Sequence, residues 1–255
     1  MRIIDTHAHL WDDRYEVDAL HIIHDFRDEY PDNIMIAVGT NEKDCRLLAE
    51  IDERNVYKAM GIHAQFASRY SDNVFDFIRI NKDNIIAIGE IGLDYFYGRE
   101  DKEAQLILLE KQLALAKELA KPVILHCRDA SEDLIKVLDK FVGLKGVVHC
   151  FSGDINTAKE LISRGYYIGV GGTYTFASNK QLRDIVKELG LAHIVLETDS
   201  PYLAPVPFRG KVNRPEYVRY VAKAIALDLG LSEEEVLSIT NTNAIKLFNL
   251  EEVWE

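Results

Sequence analysis

The 255-residue chain is poor in cysteine, with three thiols (Cys45, Cys127 and Cys150) and no Cys-x-x-Cys spacing. So odd and scattered a set excludes a disulfide scaffold and a cysteine zinc knuckle. No apolar run reaches the roughly 18 residues that a membrane-spanning helix needs. The opening Met-Arg-Ile-Ile-Asp-Thr-His carries a histidine where a signal peptide would place its apolar stretch. Low-complexity segments, Gly/Ser linkers and charge blocks are missing too. Positive charge is the scarcer sign: 30 Lys and Arg stand against 42 Asp and Glu, for a net charge of −12. That deficit argues against broad, charge-driven binding to nucleic acid or an anionic membrane. These absences together predict a protein of a reducing compartment, cytoplasmic and not associated with membranes. Nothing in the sequence points to an obligate protein partner. The motifs G-x-S-x-G, H-E-x-x-H and the Walker loop are absent as well.

What is present is ordinary globular composition, 47% hydrophobic and 28% charged, with an alternating pattern. Short apolar runs at Arg2–His7, Ile34–Gly39, Tyr57–His63, Ile85–Ile91, Val123–His126, Gly146–His149, Tyr167–Gly171 and His193–Glu197 read as buried strands. Between them lie helical patterns, clearest over Asp101–Ala120, where Lys121-Pro122 ends the helix. Others cover about Asp44–Glu53, Glu132–Lys140, Ile155–Arg164, Leu182–Leu189 and Tyr217–Leu229. Ser232 and Glu235 form a capping-box pattern that opens a short helix, and Asn243–Leu247 suggests another. Strands alternating with helices imply parallel pairing and right-handed crossovers. An open dinucleotide-binding sheet would carry G-x-G-x-x-G after its first strand, whereas this one ends in His7-Ala8-His9. The expected fold is α/β: a single (β/α)8 TIM barrel over residues 1–255 with a short C-terminal helical extension.

The polar residues collect at the C-terminal ends of the short runs, the face on which this architecture builds its sites. His7 and His9 are two apart, so in an extended segment they point the same way and can reach one metal ion; an isolated pair is more often structural or exposed, and its place at the end of a buried strand favours the metal. Glu90, in Gly-Glu-Ile-Gly-Leu-Asp, is a carboxylate inside an apolar strand and needs either a salt-bridge partner or cations. His126 and His149 are each followed by a cysteine. Spacing alone does not decide between them, but two His-Cys pairs on successive strands favour the histidines as ligands. Glu197 and Asp199 close the series, two carboxylates that repel unless a cation or proton lies between them. Asp199 suits a metal and its water, with Glu197 behind it. Tyr95-Phe96-Tyr97 reads as a loop lid or a stacking platform. Arg209-Gly210-Lys211 and Arg128 are candidate phosphate contacts. Four histidines and two carboxylates can supply a two-metal site, and nitrogen with carboxylate donors suits zinc, manganese or magnesium without choosing among them.

The motifs Asp-Thr-His-Ala-His-Leu from Asp5, Gly-Ile-His63, Gly-Glu90-Ile-Gly-Leu-Asp-Tyr95, Ile-Leu-His126-Cys-Arg128-Asp-Ala, Val-Val-His149-Cys-Phe-Ser-Gly and Leu-Glu197-Thr-Asp199-Ser-Pro-Tyr-Leu-Ala-Pro resemble, in order, those of the TatD family of metal-dependent deoxyribonucleases. That family is a branch of the amidohydrolase-like TIM barrels. The resemblance implies that His7, His9 and Glu90 hold one divalent ion, and that Glu90, His126 and His149 hold a second. Asp199 would sit by the first ion and act on the water, and His63 would lie near the scissile phosphate. Glu197 would orient its neighbours, and Arg128, Arg209 and Lys211 would meet phosphates. The implied activity is hydrolysis of DNA, exonuclease-type, by a water activated between two cations, and the net charge of −12 limits the expected contact to short or single-stranded ends. An amide or ester hydrolase on the same scaffold, such as a D-aminoacyl-tRNA deacylase, is the alternative, followed by a non-catalytic metal-binding protein. Ala64 stands where the family usually has proline, and Asn213-Arg214-Pro215 replaces Asn-Glu-Pro.

Overall fold

The structure, a computed structural model, describes residues 2–98 and 100–250. Eight strands are present: β1 (Ile4–Ala8), β2 (Ile34–Val38), β3 (Val56–Met60), β4 (Ala87–Asp94), β5 (Val123–Arg128), β6 (Gly146–Val148), β7 (Tyr166–Val170) and β8 (Ile194–Leu196). Nine helices are described: α1 (Ala19–Glu29), α2 (Glu42–Glu50), α3 (Asn73–Ile80), α4 (Lys102–Glu118), α5 (Ser131–Leu138), α6 (Ile155–Ser163), α7 (Lys180–Leu189), α8 (Val218–Leu229) and α9 (Glu233–Phe248). The strands form one sheet in sequence order, every resolved pairing parallel. Beyond β1 and β8 the sheet closes on itself, where Ala8 bridges Ser200. This is the (β/α)8 barrel that the alternation predicts. Nearly every strand residue is buried, which explains why the strands read as continuous Val/Ile/Leu runs rather than an alternation. Among the described residues no helix is long and apolar enough to cross a membrane.

Helix starts follow local chemistry. The side chains of Asp18, Asn41, Asp154 and Asn179 each accept the backbone N–H three residues on, at the head of α1, α2, α6 and α7. Ser232 and Glu235 complete the predicted capping box. Two helices are additional to those read from spacing. α3 carries Val-Phe-Asp-Phe-Ile, whose apolar residues mix alternation with helical spacing, and α1 packs Ile22, Ile23 and Phe26 inward. The tail is also corrected. The two short helices expected after β8 and α8 are one, α9, running through Thr240-Asn241-Thr242-Asn243. These weak helix formers are held by tertiary bonds: Asn241 Nδ2 donates to Arg2 O, and Asn243 Nδ2 donates to both Leu191 O and Ile194 O.

The described chain divides into two compact units. The first comprises residues 2–37, 52–57 and 168–250, and contains β1, β8 and α7 to α9. Its core includes Ile3, Phe26, Ile36, Val221, Ile225 and Val236. Buried Asn33 ties it together, accepting from Ile3 N at 3.0 Å and donating to Phe26 O at 2.9 Å. The second comprises residues 38–51 and 58–167, with β4 to β6 and α2 to α6, around Leu48, Met60, Ile88, Leu109, Leu113 and Ile124.

Candidate metal centre

In the first unit, β1 runs straight into the His7-Ala8-His9 segment. The Nε2 atoms of His7 and His9 stand 3.2 Å apart. Asp199 Oδ1 lies 3.4 Å from His9 Nε2 and 3.8 Å from His7 Nε2. Asp199 is set there by its backbone. Its N–H donates to His7 O at 2.9 Å, its carbonyl accepts from Tyr202 N at 2.8 Å, and its φ is +56°, a left-handed conformation rare outside glycine. His9 N is anchored on Ser200 O. Behind this set lies the fully buried Asp5, which accepts from His7 N, Thr198 N and Thr198 Oγ1. Burial drives the Asp5 carboxyl well above the usual range, against those three donors and with help from the nearby charge of Glu197. Glu197 is itself fully buried, and its N–H donates to Val170 O.

In the second unit, three imidazoles converge on one carboxylate oxygen. Glu90 Oε1 is 2.8 Å from His149 Nε2, 3.0 Å from His126 Nδ1 and 3.5 Å from His63 Nε2. The flanking glycines make this approach possible. A Cβ on Gly89 would stand 2.6 Å from Ile124 Cβ, and one on Gly92 would stand 1.9 Å from His126 O. β4 therefore lies against β5 as closely as bare backbone allows. Burial alone would raise the Glu90 carboxyl. His149 and His63, with hydrogen bonds from His126 and His149, overcome that and hold it well below the usual carboxylate range. His63 is pushed down to about 4, burial outweighing the attraction of Glu90. His126 goes the other way. Burial opposes its charge, but Asp94 and Glu90 outweigh it and lift the group to about 9. Asp94 Oδ2 lies 3.1 Å from His126 Nε2, so a carboxylate orients this imidazole from behind.

The tautomer of His63 is set by its surroundings. Its Nδ1 accepts from Gln65 N at 3.1 Å, leaving the proton of the neutral ring on Nε2, which faces Glu90. His63 is thus a hydrogen-bond donor toward Glu90. Two buried glutamines on α4, seven residues apart, hold this unit's ends in place. Gln112 accepts from Ile62 N at 2.8 Å and donates to Ile62 O at 2.9 Å. Gln105 does the same for Asp94 N and O, at 2.8 and 2.9 Å. One helix face thereby fixes the backbone next to His63 and at Asp94. Composition and spacing did not single out Gln105, Gln112 or Thr198, whereas Asp94 stood out with Glu90 as a polar residue at the end of the fourth apolar run. The signal available was a polar residue repeated every two turns on an otherwise apolar helix face.

The remaining predicted residues divide. Arg128 stacks its guanidinium 3.5 Å from the centre of the exposed Phe96 ring. Arg209 and Lys211 are exposed, lying over the rings of Phe176 and Phe208. Tyr95 is corrected: its ring is buried, its hydroxyl donates to Asp133 Oδ2 at 3.0 Å, and Lys102 covers it. The exposed rings are those of Phe96 and Tyr97. Strand alternation, continued one residue past β4, turns Tyr95 inward and leaves the following two out. The cysteines are not ligands in waiting. Cys127 lies 3.8 Å from Ser131 Oγ, and burial pushes its thiol up to about 11.

The donor chemistry of both sets fits divalent cations. His63, His126 and Glu90 offer ligand atoms within 4.8 Å of one another. The carboxylate is ionised, and the imidazole protons are the ones a cation would displace. A family model described as TatD related DNase matches residues 4–249. The chain belongs to the TatD family. Among TatD-like relatives, the uncharacterized metal-dependent hydrolase YabD of Bacillus subtilis is 36% identical over 253 residues, covering 97% of this chain and 99% of that one. The uncharacterized metal-dependent hydrolase YcfH of Escherichia coli K12 is 36% identical over 266 residues, covering 98% and 97%. The crystal structure of YjjV, a TatD homologue from the same organism, matches with a TM-score of 0.89 and 30% identity over 98% of this chain and 99% of that one. Like its TatD relatives, the chain is a metal-dependent hydrolase.

Proposed function

We propose that this protein is a deoxyribonuclease of exonuclease type, cleaving phosphodiester bonds at short or single-stranded ends with two divalent cations, magnesium, manganese or zinc. The observation that carries the reading is the convergence of three imidazoles on the buried Glu90 carboxylate, beside a family description that names DNA. His7, His9 and Asp199 would hold one cation, and Glu90, His126 and His149 would hold the other. When bound, the cations supply Lewis acidity: they lower the pKa of an attacking water and neutralise charge developing on the phosphoryl oxygens. Asp199, its carboxylate fixed by backbone bonds to His7 and Tyr202, takes the proton from that water. His63, with its proton on Nε2, donates to a phosphate oxygen. Asp94 keeps His126 oriented, and Asp5 with Thr198 does the same for the strand that bears His7. Glu197 steadies its neighbours behind Asp199. Arg128, the last residue of β5, and Arg209 and Lys211, on the loop that follows β8, meet flanking phosphates. The three free cysteines accord with a reducing, cytoplasmic setting.

The test is digestion of end-labelled oligonucleotides by the full chain with added Mg²⁺, Mn²⁺ or Zn²⁺, beside Glu90→Gln and Asp199→Asn. Both variants should lose at least 100-fold in turnover, and Glu90→Gln should also lose bound metal. Turnover unchanged in either variant refutes the assignment, and hydrolysis of aminoacyl-tRNA with no action on oligonucleotides shifts it to the amide and ester class.

A further inference from the structure

A cleft of ≈520 Å³ lies beside the loop that follows β8, lined in part by Arg14, Phe176, Tyr202, Arg209 and Lys211. Three cations line it and, among the described residues, no carboxylate does, in a chain where acids outnumber bases 42 to 30. Two of the cations are guanidiniums paired with rings. Arg14 Cζ stands 4.5 Å from the Tyr202 ring centre, and Arg209 Cζ stands 4.5 Å from that of Phe176. The Arg14–Tyr202 pair is assembled by one acid. Asp12 accepts from Arg14 N at 2.9 Å, from Arg14 Nη1 at 3.0 and 3.1 Å, and from the Tyr202 hydroxyl. The same Tyr202 ring meets the His9 imidazole edge-on, centres 5.9 Å apart. Tyr202 is therefore a wall common to the cleft and to the His7–His9–Asp199 set.

We propose that this cleft is a strand subsite, which takes the nucleotide next to the scissile phosphate of a single-stranded nucleic acid. This rests on the phosphodiesterase reading above. The base stacks on the guanidinium–aromatic pairs, and its phosphate meets Lys211 and Arg209. Planar π-faces beside cations are how sequence-tolerant single-strand binders hold their ligand. The volume falls in the range of about 300–1,000 Å³ typical of small-ligand sites. A base enters a cleft only after leaving its stack, which costs least in a single strand or at a frayed end. The cationic lining also answers how a protein of net charge −12 captures a polyanion: attraction is concentrated in one place rather than spread over the surface.

The test is fluorescence anisotropy of a labelled oligothymidylate of about ten residues, long enough to fill a single-strand site. It binds the full chain with Ca²⁺ in place of the catalytic cation, and a hairpin duplex of the same label is run beside it. Arg14 is more than half exposed, so Arg14→Ala will fold. It should raise Kd for the single strand about five- to tenfold and lower the salt slope by about 0.7. Tyr202→Leu should act in the same direction. Lys136→Ala, the same charge change on the exposed face of α5, should leave Kd where it was. Equal Kd for wild type and Arg14→Ala, failure of the wild type to bind, or duplex binding as tight as single-strand binding each overturns the subsite. Hydrolysis of oligonucleotides with KM untouched by Arg14→Ala removes the subsite and leaves the phosphodiesterase reading. Tight, Arg14-dependent binding without cleavage in any metal removes that reading and leaves the subsite.

Discussion

Replacing Gln112 with leucine tests whether a helix face, rather than the strand itself, places His63. Gln112 has no exposed surface, and its amide closes a two-point clasp on Ile62 N and O at 2.8 and 2.9 Å. Leucine has similar volume, so the cavity term is small and the change isolates the clasp. It strands a buried N–H and takes one partner from a buried carbonyl. Leaving such a group unsatisfied costs about 1–3 kcal/mol, and the leucine recovers part of this through apolar burial. The expected net loss is about 2–4 kcal/mol. For a chain of this size that is a fall in Tm of about 4–16 °C. Urea denaturation followed by tryptophan fluorescence should show a lower midpoint with an unchanged slope. Turnover should fall further than stability explains, since residue 63 follows directly on the released peptide, while metal content should persist. A Gln112→Leu protein within about 0.5 kcal/mol of wild type, with full turnover, would refute the argument that α4 positions the end of β3.

Three further outcomes are expected. His63→Asn keeps Nδ1-like acceptance from Gln65 N but loses the ring proton facing Glu90; it should retain bound metal, measured by elemental analysis, and lose about 10²–10⁴ in kcat. Burial would raise Asp12, but the Tyr202 hydroxyl and Arg14 outweigh it and hold its carboxyl below the usual range. Its contribution to stability is therefore complete above the unfolded value near 4 and disappears as pH falls through the lowered folded value. The difference between wild type and Asp12→Asn, at most about 1.5 kcal/mol given the exposure of Arg14, should vanish on acidification below pH 4 in urea titrations. Metal removal should destabilise by mass action. Adding Mn²⁺ or Zn²⁺ at about 100 times Kd should return roughly 2.7 kcal/mol per ion in calorimetry. It should also release a proton near pH 8, because His126 without a cation holds its proton up to about 9.

The alternation of short apolar runs and amphipathic segments was enough to order eight strands and to put His7, His126 and His149 at or beside strand ends, because a parallel barrel buries its strands on both sides; Glu90, expected at the end of the fourth run, lies instead in the middle of β4, which runs on to Asp94. The family motifs then named the ligands. Sequence failed where long-range contacts override local pattern. α9 runs through four weak helix formers because Asn241 and Asn243 find carbonyls far away in the chain. Tyr95 turns inward because strand geometry continues past the last residue of β4. Periodicity shows which residues are apolar, and motifs show which are chemically able. Neither states which nitrogen of His63 carries the proton, which acid stands behind His126, or that Gln105 and Gln112 on one helix clasp two strand ends. Those were decided by the tertiary structure: the acid and the two clasps join partners 11 to 50 residues apart whose distance and direction no local spacing encodes, and the His63 proton is set by the direction of the Gln65 N–H two residues on, which composition and motif do not state.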